Sequence, residues 1–271
     1  MSLVETDWLE KNLSTVKIVD CSWHMPQTKR NGYEEYKSLH IPHSIFFDID
    51  ENSRKDTSLP HMLIDQISWD KIVSNMGIQK NDQIVIYDNS DVLSSCRGWF
   101  NFIYYGHDPK LVNVLNGGLR KWLKEKKKVT DEISKIHISD YKSTERKDLV
   151  KSKKAIDQNI EEKKFTLIDA RSRERFEGKI PEPRKGLRSG CIKNSFCIPF
   201  NNCLNDDKTF KNKDELKKIF RTSLENLEQE NIVFSCGSGV TACVLALAYS
   251  LINDKYLPCI YDGSWAEYGL I

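Results

Sequence analysis

No two of the eight cysteines stand three positions apart, so the paired ligands of a small zinc site are missing. No apolar stretch is long enough to cross a bilayer. The longest, Val240 to Ile252, suits a buried helix instead. The opening residues Met1-Ser2-Leu3-Val4-Glu5-Thr6-Asp7 show neither a basic nor an apolar leader, and on that ground a reducing, cytoplasmic setting is expected. Excess charge of either sign is also lacking. Lys and Arg number 41 against 39 Asp and Glu, and a net charge of +2 gives no global field to draw nucleic acid or a membrane surface. The cysteines Cys21, Cys96, Cys191, Cys197, Cys203, Cys236, Cys243 and Cys259 are then expected as reduced thiols, most of them small buried side chains. No residue cluster demands a metal or an organic cofactor, and none is expected.

What is present is a doubled chain. With 39% hydrophobic and 30% charged residues, 271 residues suffice for one large globular domain or two ordinary ones. Four landmarks recur in the same order at an offset of about 150 residues. Val16-Lys17-Ile18-Val19-Asp20 returns as Phe165-Thr166-Leu167-Ile168-Asp169-Ala170, and His40-Ile41-Pro42-His43-Ser44-Ile45-Phe46-Phe47 as Cys191-Ile192-Lys193-Asn194-Ser195-Phe196-Cys197-Ile198. Ile84-Val85-Ile86-Tyr87-Asp88 returns as Ile232-Val233-Phe234-Ser235-Cys236, and Leu115-Asn116-Gly117-Gly118-Leu119 as Tyr261-Asp262-Gly263-Ser264-Trp265. Each copy alternates short β-branched runs with helical patterns, which predicts an α/β domain with a mainly parallel sheet flanked by helices. The expected division is 1–130 for the first domain, a polar, lysine-rich linker over 131–154, and 155–271 for the second.

The two copies part company at one turn. After the run Ile232-Val233-Phe234 the second has Cys236-Gly237-Ser238-Gly239 and then an apolar helical pattern from Val240. This places a cysteine at a helix N-terminus, where unsatisfied backbone N–H groups and the helix dipole favour an anion. For cysteine that anion is the nucleophilic thiolate. The same cradle suits a persulfide, and hence a double displacement that takes sulfur from a donor and passes it to an acceptor. The first copy has Asp88-Asn89-Ser90-Asp91 at this turn. It offers no thiol, and its carboxylates would repel an incoming anion, so it is expected to be non-catalytic.

The run Cys236-Gly237-Ser238-Gly239-Val240-Thr241 resembles the active-site loop C-G-S-G-V-T of the mercaptopyruvate sulfurtransferases, two-domain members of the rhodanese superfamily. Arg171 to Gly178 and Pro181-Glu182-Pro183-Arg184-Lys185-Gly186 resemble that family's D-[AS]-R-x-x-x-R-F-x-G and P-E-P-R-x-G segments. Phe46-Phe47-Asp48-Ile49-Asp50 and His61-Met62-Leu63 resemble its F-F-D-I-D and H-M-L. The resemblance implies two tandem rhodanese-like domains, the first inactive, and a Cys236 persulfide. It implies a substrate loop of Gly237, Gly239, Val240 and Thr241, with Arg175 and Arg184 clamping the carboxylate and carbonyl of 3-mercaptopyruvate. It also implies a relay in which Ser238 serves the departing enolate, His61 backs Ser238, and Asp50 (or Asp48) orients His61. The acceptor would be a thiol, such as that of thioredoxin, or cyanide. One segment departs from the family pattern: where relatives carry G-H-I-P-G, this chain reads Gly190-Cys191-Ile192-Lys193-Asn194.

Three other readings compete. A thiosulfate sulfurtransferase shares the fold and the persulfide, but its loop typically carries basic residues where this chain has Gly237 and Ser238. A cysteine phosphatase needs an arginine six positions after the cysteine to hold phosphate, and that position is Ala242. A sulfur-carrier module without turnover would need Cys236 alone and could dispense with the arginines.

Overall fold

The structure is a computed structural model and describes residues 2–271. By its contacts the chain falls into two compact units. One comprises the residues up to Arg54, Leu63–Arg146 and Asp206–Thr209; the other comprises Lys55–Met62, Lys147–Asn205 and Phe210–Ile271. The two short exchanged segments were not foreseen from the sequence, because local pattern says nothing about which body a loop packs on. Regular structure also begins inside the expected 131–154 linker, since a strand covers Val150–Lys151 and a helix starts at Lys153.

The first unit runs β1 (Leu3–Val4), α1 (Thr6–Asn12), β2 (Lys17–Asp20), α2 (Gly32–Ser38), β3 (Ser44–Phe46), α3 (Gln66–Asn75), β4 (Ile84–Tyr87), α4 (Ser95–Tyr104), β5 (Val112–Leu115) and α5 (Gly118–Lys124). Its sheet is ordered β1-β5-β4-β2-β3, with every pairing parallel. The second unit repeats this plan. It runs β6 (Val150–Lys151), α6 (Lys153–Glu162), β7 (Thr166–Asp169), α7 (Arg173–Phe176), β8 (Phe196–Cys197), α8 (Lys213–Phe220), β9 (Ile232–Ser235), α9 (Val240–Ser250), β10 (Ile260–Tyr261) and α10 (Ser264–Tyr268). Its order is β6-β10-β9-β7-β8, again all parallel. The four sequence landmarks are thus the equivalent strands of two copies, as the repeat predicts.

Both sheets are covered on both faces, which is why β4 and β9 read as unbroken buried runs rather than as alternating ones. In the first unit Ile18, Val85, Tyr87 and Leu115 pack with Leu9 of α1 and with Leu119 and Trp122 of α5. The opposite face carries α4, whose Gly98 lies so close that an added Cβ would meet Cys21 Sγ at 2.8 Å and Ile86 Cγ2 at 3.2 Å. In the second unit Leu167, Val233 and Tyr261 pack with Ile156 of α6 and Trp265 of α10. On the other face Phe234 meets Phe220 of α8 and Tyr249 of α9. Chain order reverses between β7 and β9: β8 lies beyond β7, and β10 lies beyond β9. In open parallel sheets ligands bind outside the carboxyl ends of the strands at such a switch point. Arg171 follows β7 there, and Cys236 follows β9.

Candidate active site

Cys236 leaves β9 at its carboxyl end and is only 2% exposed. The turn around it is held from one side by α10. Trp265 N donates to Cys236 O at 2.9 Å, and Ala266 N donates to Gly237 O at 2.8 Å. Among the described residues no peptide bond is cis. In a trans peptide the N–H points opposite to its carbonyl. With both carbonyls turned toward α10, the N–H groups of Gly237 and Ser238 face the other way, away from α10. Gly239 closes the turn with φ 78° and is the N-cap of α9, where it supplies no side-chain cap. The first amides of Val240 and Thr241 are therefore not taken by a capping side chain, as an anion cradle requires.

Cys236 N has its own partner, Ser264 Oγ, at 3.1 Å. That hydroxyl donates to Tyr261 O at 2.8 Å, which leaves a lone pair directed at Cys236 N. Ser264 is fully buried and sits in left-handed backbone at φ 48°, where a side chain is strained. The equivalent residue of the first copy is Gly118, at φ 55°.

The basic groups converge on Gly237 from above. A Cβ placed on this glycine would lie 3.2 Å from Arg175 NH2 and 3.7 Å from Arg184 NH1. Arg175 is held by Glu182, which accepts from its Nε at 3.2 Å and its NH2 at 2.5 Å. Glu182 also accepts from Arg171 NH1 at 2.8 Å. Arg171 is a completely buried guanidinium. It donates to both carboxylate oxygens of Asp169 and to Gly190 O, and its face lies 4.3 Å from the Trp265 ring centroid. It therefore ties the end of β7 to Glu182, to the 190–194 turn and to α10. That turn forms without the relatives' histidine and proline: Arg171 holds Gly190 O, Ser195 N donates to Ile192 O at 3.2 Å, and Ile192 is core.

Ser238 and His61 are brought together. His61 Nδ1 lies 3.0 Å from Ser238 Oγ, and Arg184 NH2 donates to the same oxygen at 3.4 Å. His61 belongs to the first repeat by sequence, but its segment Lys55–Met62 belongs to the second unit by contact. Its φ of 61° is left-handed backbone, which histidine tolerates better than most side chains. Asp50 lies in the first unit, where its Oδ2 accepts from Trp23 Nε1 at 2.8 Å. Asp48 Oδ1 accepts from the amides of Asp50 and Glu51.

The first copy has filled its cradle with its own side chain. Asp88, at the place of Cys236, accepts from Ser90 N at 2.8 Å and from Ser95 N, the first amide of α4, at 2.7 Å. It is buried, and burial pushes its pKa up. Burial likewise raises Cys197 and Cys259 to about 11 and Cys203 to about 12, so these thiols stay protonated at neutral pH, and it pushes Cys191 up as well. A cavity of about 650 Å³ lined by Leu149, Phe165, Ile232 and Cys259 lies at the amino end of β9, the end opposite Cys236, and includes none of Cys236, Ser238, His61, Arg175, Arg184 and Glu182. Among the described residues no cluster of three or more His, Cys, Asp or Glu side chains could hold a metal, and no helix is long and apolar enough to cross a membrane.

Sequence reasoning missed Glu182 and Ser264 as site residues. The Gly118-to-Ser264 difference between the repeats was the available signal for Ser264: a side chain at a left-handed position needs a reason. Glu182 stood inside the P-E-P-R-x-G resemblance, but only Arg184 of that segment was given a role.

Comparison with known proteins agrees with this geometry. The family model described as "Rhodanese-like domain" matches residues 5–125 and 152–270. A protein of Arabidopsis thaliana named thiosulfate/3-mercaptopyruvate sulfurtransferase 1, mitochondrial, is 37% identical over 98% of this chain and 75% of its own length. The thiosulfate sulfurtransferase of Rattus norvegicus is also 37% identical, over 98% of this chain and 91% of its own. Among solved structures, the 3-mercaptopyruvate sulfotransferase SseA of Escherichia coli superposes with a TM-score of 0.87 at 28% identity, covering 98% of this chain and 99% of that one. Two copies of one parallel-sheet domain, a cysteine loop at a helix start in the second and relatives matched along nearly the whole chain together make this protein a two-domain sulfurtransferase of the rhodanese superfamily.

Proposed function

We propose that the sulfur donor is 3-mercaptopyruvate and that Cys236 carries the sulfur as a persulfide. The observation that carries this reading is the pair of guanidiniums, Arg175 and Arg184, over Gly237. Positive charge reaches the loop from the 175–184 segment rather than from the loop itself. A lysine or arginine at 237 would be driven into Arg175. Two guanidinium forks suit a planar α-keto acid, whose carboxylate and carbonyl each accept charge-assisted bonds of about 1.5–3 kcal/mol.

In this mechanism the Cys236 thiolate attacks the donor sulfur and forms an S–S bond. The donor's C–S bond breaks, and its electron pair becomes the enolate of pyruvate. Ser238, hydrogen-bonded to His61, donates a proton to that enolate and is reprotonated through the imidazole. An acceptor thiol, such as that of thioredoxin, or cyanide then attacks the outer sulfur and restores the thiolate. The loop amides of Gly237, Ser238, Gly239, Val240 and Thr241 hold the sulfur anion in both states. The first unit, with Asp88 in its cradle, performs no sulfur chemistry. Its reduced thiols suit the cytoplasm, where we place the protein.

Intact-mass analysis after brief exposure to 3-mercaptopyruvate tests the reading. One added sulfur is expected on the wild type and none on Cys236→Ser; a sulfur retained by that variant moves the chemistry to another cysteine. For the donor, kcat/KM for 3-mercaptopyruvate should exceed that for thiosulfate by at least about tenfold, the value of one well-made charge-assisted bond. A preference for thiosulfate overturns the donor assignment and leaves the persulfide standing.

A further inference from the structure

Resting on the reading of Arg175 as part of the donor clamp, we infer that Glu182 is a specificity-determining residue: it fixes which edge of Arg175 meets the donor and offsets one of the clamp's positive charges. Glu182 takes the side-on edge of Arg175, Nε at 3.2 Å and NH2 at 2.5 Å. What Arg175 can offer a donor is its end-on edge, on the side where NH2 approaches Gly237. The carboxylate is itself buried and held from a second side. Its side chain is 1% exposed, against 21% for that of Arg175, and Arg171 holds it from beneath at 2.8 Å. Arg171 is pinned in turn by Asp169, Gly190 O and the Trp265 ring, and Trp265 N holds the Cys236 carbonyl. Clamp and nucleophile are thus built on one frame.

Glu182 sets one negative charge against the guanidiniums at this loop, in direct contact with Arg175 and Arg171. Without that charge the clamp would be more positive by one, and a compact dianion such as thiosulfate would gain more than a donor recognised by a single carboxylate does.

The test compares both donors on Glu182→Gln and Glu182→Asp. In Glu182→Gln the ratio of kcat/KM for thiosulfate to kcat/KM for 3-mercaptopyruvate should rise about tenfold over wild type, the order expected for one charge acting in a partly screened site. Most of the change should fall in KM. Glu182→Asp keeps the charge and shortens the reach, so the donor ratio should stay within about twofold of wild type while KM for 3-mercaptopyruvate rises. An equal fall for both donors in Glu182→Gln would show a merely structural carboxylate and overturn the inference. If Glu182→Gln fails to fold, Glu182→Asp decides alone: a ratio shifted toward thiosulfate despite the retained charge sinks it. Each shift is read against the wild type's own ratio, so a wild type that prefers thiosulfate defeats the donor assignment without deciding the role of Glu182.

Discussion

Ser264 shows how much one residue can carry. It occupies left-handed backbone that costs a side chain about 1–2 kcal/mol, at a position where the first copy uses Gly118. The compensation is its hydroxyl, the acceptor for Cys236 N. Ser264→Ala keeps the strain and orphans a buried N–H, a loss of about 1–3 kcal/mol. Ser264→Gly orphans the same N–H but removes the strain. Chemical denaturation should therefore find Ser264→Gly more stable than Ser264→Ala by about 1 kcal/mol, with sulfur transfer reduced in both because the Cys236 peptide has lost its anchor. Equal stability of the two variants would show that φ 48° stores no strain here.

At the level of elements, the two equivalent helix starts solve one problem differently. The start of α9 has no side-chain cap, whereas the first amide of α4 is capped by Asp88 Oδ2. Asp88→Ala should cost about 1–2 kcal/mol, as loss of a helix cap does, with the loss confined to the first unit in hydrogen exchange. Turnover per folded molecule should not change, because the Cys236 loop is built on β9, α9 and α10. A fall in kcat that survives correction for folded protein would give the first copy a part in the chemistry. The strands and the landmarks were legible in the sequence because buried parallel strands are short apolar runs bounded by glycine and polar turns. The His61 segment was legible as a motif, but not as a member of the second unit, since nothing local to residues 55–62 records the body on which they pack.

Over the whole molecule, stability should depend on pH through buried carboxylates of the first unit. Burial, with Asp88 close by, pushes Asp20 up to about 7, and Asp88 is raised as well. Asp20 holds a proton in the folded state that the unfolded chain releases near pH 4. The unfolded state then binds fewer protons, so stability falls as pH rises from about 4 and levels off once pH passes the folded value near 7. Asp20→Asn should flatten this fall, on the order of 2 kcal/mol between pH 5 and 8 in denaturant titrations. An unchanged pH slope in the variant would show that Asp20 titrates elsewhere.

Composition and pattern alone determined that this chain folds as two copies of a parallel α/β domain and that only the second carries a thiol directly after its central strand. Both conclusions follow from short-range information, namely runs of apolar residues, turns between them, and one cysteine among glycines. Tertiary structure alone decided which charged groups work together. Arg171, Arg175 and Glu182 lie on different segments after β7, and only the fold shows Arg171 sealed inside, Glu182 shared between the two arginines and Arg175 turned toward Gly237. Burial and pairing are properties of surroundings. An arginine has the same identity in sequence whether it braces a turn or meets a donor, and the difference lies in what the rest of the chain places around it.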